Sequence, residues 1–197
     1  MKIYKIVRLI LRPYFRIFYK MEVIGKNNIP IDGSVLIISN HISVFDPIVL
    51  GCAIDREIHF MAKEELFKNK FFAKVMYTFG SFPVKRDSSD RKALKKGIDI
   101  LSQQEVLGIF PEGTRSLNGE IGRGLPGAAF IALKSNTSIV PIGIVSEYKL
   151  FDKIIIKIGK PISMEPYKMD KITSDLTIEV TEYLMKNIKI EVDGIKK

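Results

Sequence analysis

Cysteine is almost missing from this chain. Cys52 stands alone among 197 residues, so no disulfide forms within the chain, which suits a reducing compartment. With two His and one Cys, a multi-ligand zinc centre of the Cys/His kind is excluded. Long apolar runs are also lacking. The longest stretch free of Asp, Glu, Lys and Arg spans 13 residues, Gly33 to Phe45, whereas a membrane span needs about 20 apolar residues. The first 20 residues lack acid altogether. They hold Lys2, Lys5, Arg8, Arg12, Arg16 and Lys20 and no Asp or Glu. Charges every three or four positions deny this segment both the span and the apolar centre of a signal peptide.

The remaining composition is globular, 46% hydrophobic and 27% charged, and at this length one domain is expected. The formal net charge is +9. Six of those charges come from residues 1–20 and only three from the other 177. The basicity therefore does not describe a domain with a basic face, and nucleic acid is not an expected partner.

On a helical wheel the six cations of residues 1–20 fall within an arc of about 120°. Ile3, Ile6, Val7, Ile10, Leu11, Tyr14, Ile17 and Phe18 lie opposite. Such a helix either rests in a membrane interface or packs its apolar stripe on the domain with its cations in water. Pro13 is expected to break or kink it near Arg12, or to begin a second short helix.

Beyond Gly25, short β-rich runs alternate with helical patterns. Strands are expected at 34–39, 59–62, 81–86, 105–110, 138–145 and 153–159. Helices are expected at 46–54, 64–79, 88–104 (capped by Ser88 or Ser89), 127–135 and 170–190. Pro141 suggests an edge strand or a bulge. The alternation predicts an α/β fold: a single domain with a largely parallel or mixed central sheet flanked by helices. Residues 22–197 would form the domain and residues 1–21 a basic amphipathic helical segment.

In such sheets ligands gather at the carboxyl ends of strands, where three polar clusters fall. His41 and Asp46, five apart, can pair if His41 lies in the turn after its strand and Asp46 in the first helical turn. Asp46 would then fix the imidazole tautomer and leave Nε2 as a general base. The plainer alternatives are a strand-end histidine bonded to backbone and an Asp-Pro helix cap. The cluster from Phe110 to Ser116 adds Gly113, which lets backbone approach an anion, and Arg115, whose fork of donors matches phosphate. An ordinary turn with a Glu112–Arg115 pair is its alternative. Lys63 and the Lys85-Arg86 pair lie at the same expected edge. His59, among Ile58, Phe60 and Met61, reads as structural. The spacing Gly122-x-Gly124-x-x-Gly127 matches a dinucleotide fingerprint but does not follow a strand and contains Pro126, so it is set aside. Asn136-Thr137-Ser138 would matter as a glycosylation site only in a secreted chain.

Together these residues resemble the glycerolipid acyltransferase family, most closely its bacterial 1-acyl-sn-glycerol-3-phosphate acyltransferases. His41 to Asp46 resembles the HxxxxD block, Phe82 to Arg86 the second, Phe110 to Ser116 the third, and Val140-Pro141-Ile142 the fourth. The likeness covers roughly residues 22–145. It implies acyl transfer from a thioester, acyl carrier protein or coenzyme A, to the 2-hydroxyl of lysophosphatidic acid. His41 would be the base and Asp46 its partner, and no metal or redox cofactor would be needed. Arg86 and Arg115 would bind the acceptor phosphate, with Gly113 and Thr114 shaping the loop, Lys63 as a further cation and Glu112 orienting Arg115. Because acceptor and product live in a membrane, the likeness also favours the interfacial reading of residues 1–20, on an anionic membrane surface at the cytoplasmic face. One departure stands out: Leu125-Pro126-Gly127 replaces the aromatic-lysine pair that many relatives carry before that glycine. Competing readings are the same chemistry on another lysolipid or glycerol phosphate, and a non-catalytic lipid-binding protein.

Overall fold

The computed structural model describes residues 2–85, 90–116, 118–167, 169 and 171–196. Its strands are β1 (Glu22–Ile24), β2 (Val35–Ser39), β3 (Ile58–Lys63), β4 (Phe82–Val84), β5 (Val106–Ile109), β6 (Ser138–Val145) and β7 (Ile155–Ile158). Its helices are α1 (Lys2–Phe18), α2 (Asp46–Ala53), α3 (Lys70–Thr78), α4 (Arg91–Ser102), α5 (Pro126–Lys134) and α6 (Ser174–Lys196). The strands form one sheet in the order β1-β7-β6-β2-β5-β3-β4. Every neighbouring pair is parallel except β6 with β7. The expected α/β architecture is therefore present, with β1 as a strand that hydropathy did not reveal.

Strand β2 shows why the sheet is central. All five of its residues are buried. Val35 and Ile37 join the core on one side with α1 and α2, while Leu36 and Ile38 join the opposite core with α4, α5 and α6. A strand covered on both faces reads as a continuous apolar run, as VLII does here.

Three local expectations change. The helix expected over 64–79 is interrupted: a 3-10 turn spans Glu64–Phe67, and α3 begins after Asn69, whose side chain accepts from the Phe71 and Phe72 amides. Asn is a strong N-cap, and its signal lay inside a continuous apolar spacing. Helix α4 is capped by Asp90, which accepts from Lys92 N and Ala93 N and also from Lys85 N. Ser88 and Ser89 lie outside the described residues. Pro141 is neither on an edge nor in a bulge, because β6 sits between β7 and β2. It faces Gly159 one step past the last β6–β7 ladder pair, Ile142 with Ile158. There Gly159 N still donates to Pro141 O at 2.9 Å, and only the return bond is forgone.

Helix α1 runs unbroken through Pro13. The carbonyl that Pro13 leaves without a helical donor belongs to Leu9, on the outward side where the chain is exposed. The alternative that α1 packs its apolar stripe on the domain holds for Leu11, which packs against the core, and not for Ile3, Ile6, Ile10 and Ile17, which are exposed. Tyr4 and Phe15 are buried, and Arg8 and Arg12 face inward beside them. Arg12 Nε donates to Cys52 O at 2.7 Å and Arg8 to Ile54 O at 3.2 Å, so two cations serve carbonyls at the α2 C-terminus. Arg12 also reaches Asp55 Oδ1 at 2.7 Å. Bonds from Lys26 and then Arg12 hold the Asp55 carboxyl at about 2. Ile3, Ile6, Leu9, Ile10 and Ile17 therefore point away from the domain, each more than half exposed.

Candidate active site

Because β2 and β5 are parallel neighbours, the loops that follow them leave the same sheet edge. The loop after β2 carries His41 and the loop after β5 carries the Phe110–Ser116 cluster. Sequence builds a platform for the imidazole there. Gly108 leaves room for the Phe60 ring, where an added Cβ would stand 2.3 Å from it. Phe60 stacks on Phe110 at 5.7 Å between centroids, and Phe110 stacks on His41 at 4.2 Å. Phe110 thus fixes the plane of the ring.

Asp46 fixes its rotation. It is the first residue of α2 and not its cap, which is Phe45. Its carboxylate folds back on the turn that precedes it. Oδ2 accepts from Ile42 N at 2.7 Å and Ser43 N at 2.8 Å, and lies 2.7 Å from His41 Nδ1. Oδ1 accepts from the Tyr148 hydroxyl at 2.6 Å. Asp46 is fully buried, and these donors replace the water a buried carboxylate loses. Both oxygens act as acceptors, so the network assigns the shared hydrogen to Nδ1 and the lone pair to Nε2.

The third block clamps the backbone of His41 on both sides. Glu112 Oε1 accepts from His41 N at 2.9 Å, and Ser116 N donates to His41 O at 2.8 Å. Glu112 Oε2 accepts from Gly122 N at 2.9 Å. Glu112 is buried, its two oxygens bonded to backbone amides. No ion pair joins it to Arg115 among the described residues, so the orienting role expected for it is replaced by a tether between two loops. Gly113 takes φ +69°, and a Cβ there would stand 2.3 Å from Leu125 Cδ1. Leu125, which departs from the usual aromatic-lysine pair, closes this loop by donating its N–H to Pro111 O at 2.7 Å.

Thr114 and Arg115 are exposed on this edge, adjoining the contact with His41. Lys63, at the end of β3, is exposed and pairs with Glu65 at 3.1 Å. Arg86 lies outside the described residues. His59 is held at both nitrogens, by Gly80 O at 3.0 Å and Glu105 at 2.9 Å, a structural arrangement. Burial pushes the Cys52 thiol up to about 11, which makes it a poor nucleophile at neutral pH. No cluster of three or more His, Cys, Asp or Glu is placed to hold a metal among the described residues. The Gly122–Gly127 segment runs into the first turn of α5 without a strand directly before it, and Gly122 serves Glu112.

Two contributors were given no role from sequence. Tyr148 reaches Asp46 from 102 positions away. Asn40, beside His41, exchanges both amide bonds with the Ile144 backbone at 2.9 and 2.8 Å and extends β2 toward β6.

The family model described as Acyltransferase matches residues 20–145. The 1-acyl-sn-glycerol-3-phosphate acyltransferase of Bacillus subtilis is 36% identical over 149 residues, covering 72% of this chain and 73% of that one. The enzyme of the same name from Borreliella burgdorferi is 34% identical over 139 residues, 70% of this chain and 56% of its own length. Among solved structures, the 1-acyl-sn-glycerophosphate (LPA) acyltransferase of Thermotoga maritima superposes with a TM-score of 0.76 over 99% of this chain and 79% of that one, at 22% identity, a likeness of fold. The matched span contains His41, Asp46 and the Phe110–Ser116 loop, and by it the chain belongs to the acyltransferase family, as an O-acyltransferase.

Proposed function

We propose that this enzyme moves a fatty acyl group from a thioester, on acyl carrier protein or coenzyme A, to the 2-hydroxyl of 1-acyl-sn-glycerol-3-phosphate, giving phosphatidic acid. The observation that carries the reading is the buried Asp46 carboxylate bonded to His41 Nδ1, which leaves Nε2 to work on substrate. Nε2 takes the acceptor's hydroxyl proton as the oxygen attacks the thioester carbonyl. The tetrahedral centre collapses, the C–S bond breaks, and the thiolate leaves with the proton from the imidazolium. Asp46 stabilises the transient cation, and the substrate's own hydroxyl is the nucleophile. The names of the relatives support the acceptor. A thioester-release assay with both donors, run against lysophosphatidic acid, tests the reading. Release that does not depend on that acceptor would overturn it.

The acceptor phosphate binds Arg115, with Thr114 and the Gly113 turn beside it and with Arg86 and Lys63 as further cations. Arg115→Ala is expected to raise KM for the phosphate acceptor by about ten- to a hundredfold, the loss of a charge-assisted pair. KM for the thioester should change little. Efficient use of a phosphate-free acceptor by the unaltered enzyme would remove the role given to the arginines.

Among the described residues no helix is long and apolar enough to cross a membrane. The outward ridge of α1 instead rests in an anionic leaflet, with Lys5, Arg16 and Lys20 beside it for the headgroups. Tyr4 and Phe15 are core residues, so removing the segment would damage the domain. The cleaner variant is Ile6→Ser/Ile10→Ser/Ile17→Ser. It should bind phosphatidylglycerol vesicles at least tenfold more weakly, at roughly 1 kcal/mol per half-buried isoleucine, without loss of fold. Unchanged binding in a sedimentation assay would sink the membrane role.

A further inference from the structure

The mechanism uses Asp46 Oδ2, and its other oxygen has a partner of its own. Tyr148 lies beyond the end of β6 and donates its hydroxyl to Oδ1 at 2.6 Å. Its ring packs beside the α1–α2 core and 5.9 Å from Phe45. Its backbone sits at φ +55°, a left-handed conformation that is uncommon for an aromatic residue and persists only where the surroundings hold it. The Ser146 hydroxyl accepts from Tyr148 N at 2.9 Å and helps to fix the turn. Burial first, and the charge of Asp46 second, push the phenol above its usual range, so it remains a donor at neutral pH.

We propose that Tyr148 is a positioning residue for acyl transfer, holding Oδ1 so that Oδ2 stays on His41 Nδ1. The role rests on His41 acting as the base. The ring nitrogen and the backbone amides all engage Oδ2. Without the hydroxyl, Oδ1 is a buried carboxylate oxygen with no described partner, and the group can rotate about its Cβ–Cγ bond to share its donors between both oxygens. The imidazole then loses its fixed aim.

Tyr148→Phe in the full chain removes one oxygen and keeps the ring. In the thioester-release assay kcat should fall about tenfold, with KM for both substrates within twofold. The decisive comparison is a double-mutant cycle. In the Asp46→Asn background the same substitution should cost less than twofold, because the carboxylate through which it acts is gone. An equal loss in both backgrounds, a loss residing in KM, or kcat within twofold of the unaltered enzyme would each overturn the proposal. Turnover by His41→Ala reports on the base separately. If that variant is inactive and Tyr148→Phe is fully active, only the role of the tyrosine falls.

Discussion

Replacing His41 with alanine is expected to lower acyl transfer by a factor on the order of 10³–10⁴, the share that a positioned base contributes together with its oriented partner. The fold should survive. Loss of the imidazole leaves Asp46 with the donors Ile42 N, Ser43 N and the Tyr148 hydroxyl, so no buried charge is orphaned. The ring's contact with Phe110 is lost, and a fall of a few degrees in melting temperature is expected. Asp46→Asn should cost nearly as much activity for a different reason. The amide oxygen can keep Ile42 N, Ser43 N and His41 Nδ1, which all converge on Oδ2, with its NH₂ turned to the Tyr148 hydroxyl, but the negative charge that stabilises the imidazolium is gone. Thioester release and thermal denaturation, measured on both variants, separate chemistry from folding. Turnover within tenfold of the unaltered enzyme in His41→Ala would remove the base from the mechanism.

Much of the architecture was legible because the sheet is covered on both sides. SVLIIS at 34–39 and SIVPIGIV at 138–145 read as strands since both faces of β2 and β6 need apolar residues. Where the sequence misled, a local rule met a tertiary exception. Pro141 implied an edge, yet the donor it lacks falls at the end of a ladder inside the sheet. The wheel of residues 1–20 displayed two stripes without saying which one faced the domain. That depended on unpaired carbonyls at the end of α2, which Arg8 and Arg12 satisfy, and no periodicity in residues 1–20 encodes them. The candidate site divides in the same way. His41 and Asp46 stand five apart, in the turn after β2 and the first turn of α2, and were readable from spacing. Tyr148 arrives from the far side of β6 and was not.

Glu112 shows the limit of reading a motif, and its substitution carries the second large effect. As a tether it has two jobs, holding the amide of His41 and that of Gly122. Glu112→Ala leaves both N–H groups short of an acceptor, at about 1–3 kcal/mol each. With a domain of this size losing about 2–4 °C per kcal/mol, a fall of roughly 10 °C follows. His41 then loses one side of its backbone clamp, and kcat should drop on the order of a hundredfold, since small misplacements of a base are costly. Glu112→Gln distinguishes this role from direct contact with substrate. The glutamine oxygen can serve one amide, but its NH₂ group meets the other donor to donor. Stability and kcat should therefore fall together, with KM for the phosphate acceptor little changed. A substrate-binding carboxylate would behave oppositely, with KM rising and melting temperature steady. That pattern would return Glu112 to the acceptor pocket and leave the amides of His41 and Gly122 to water.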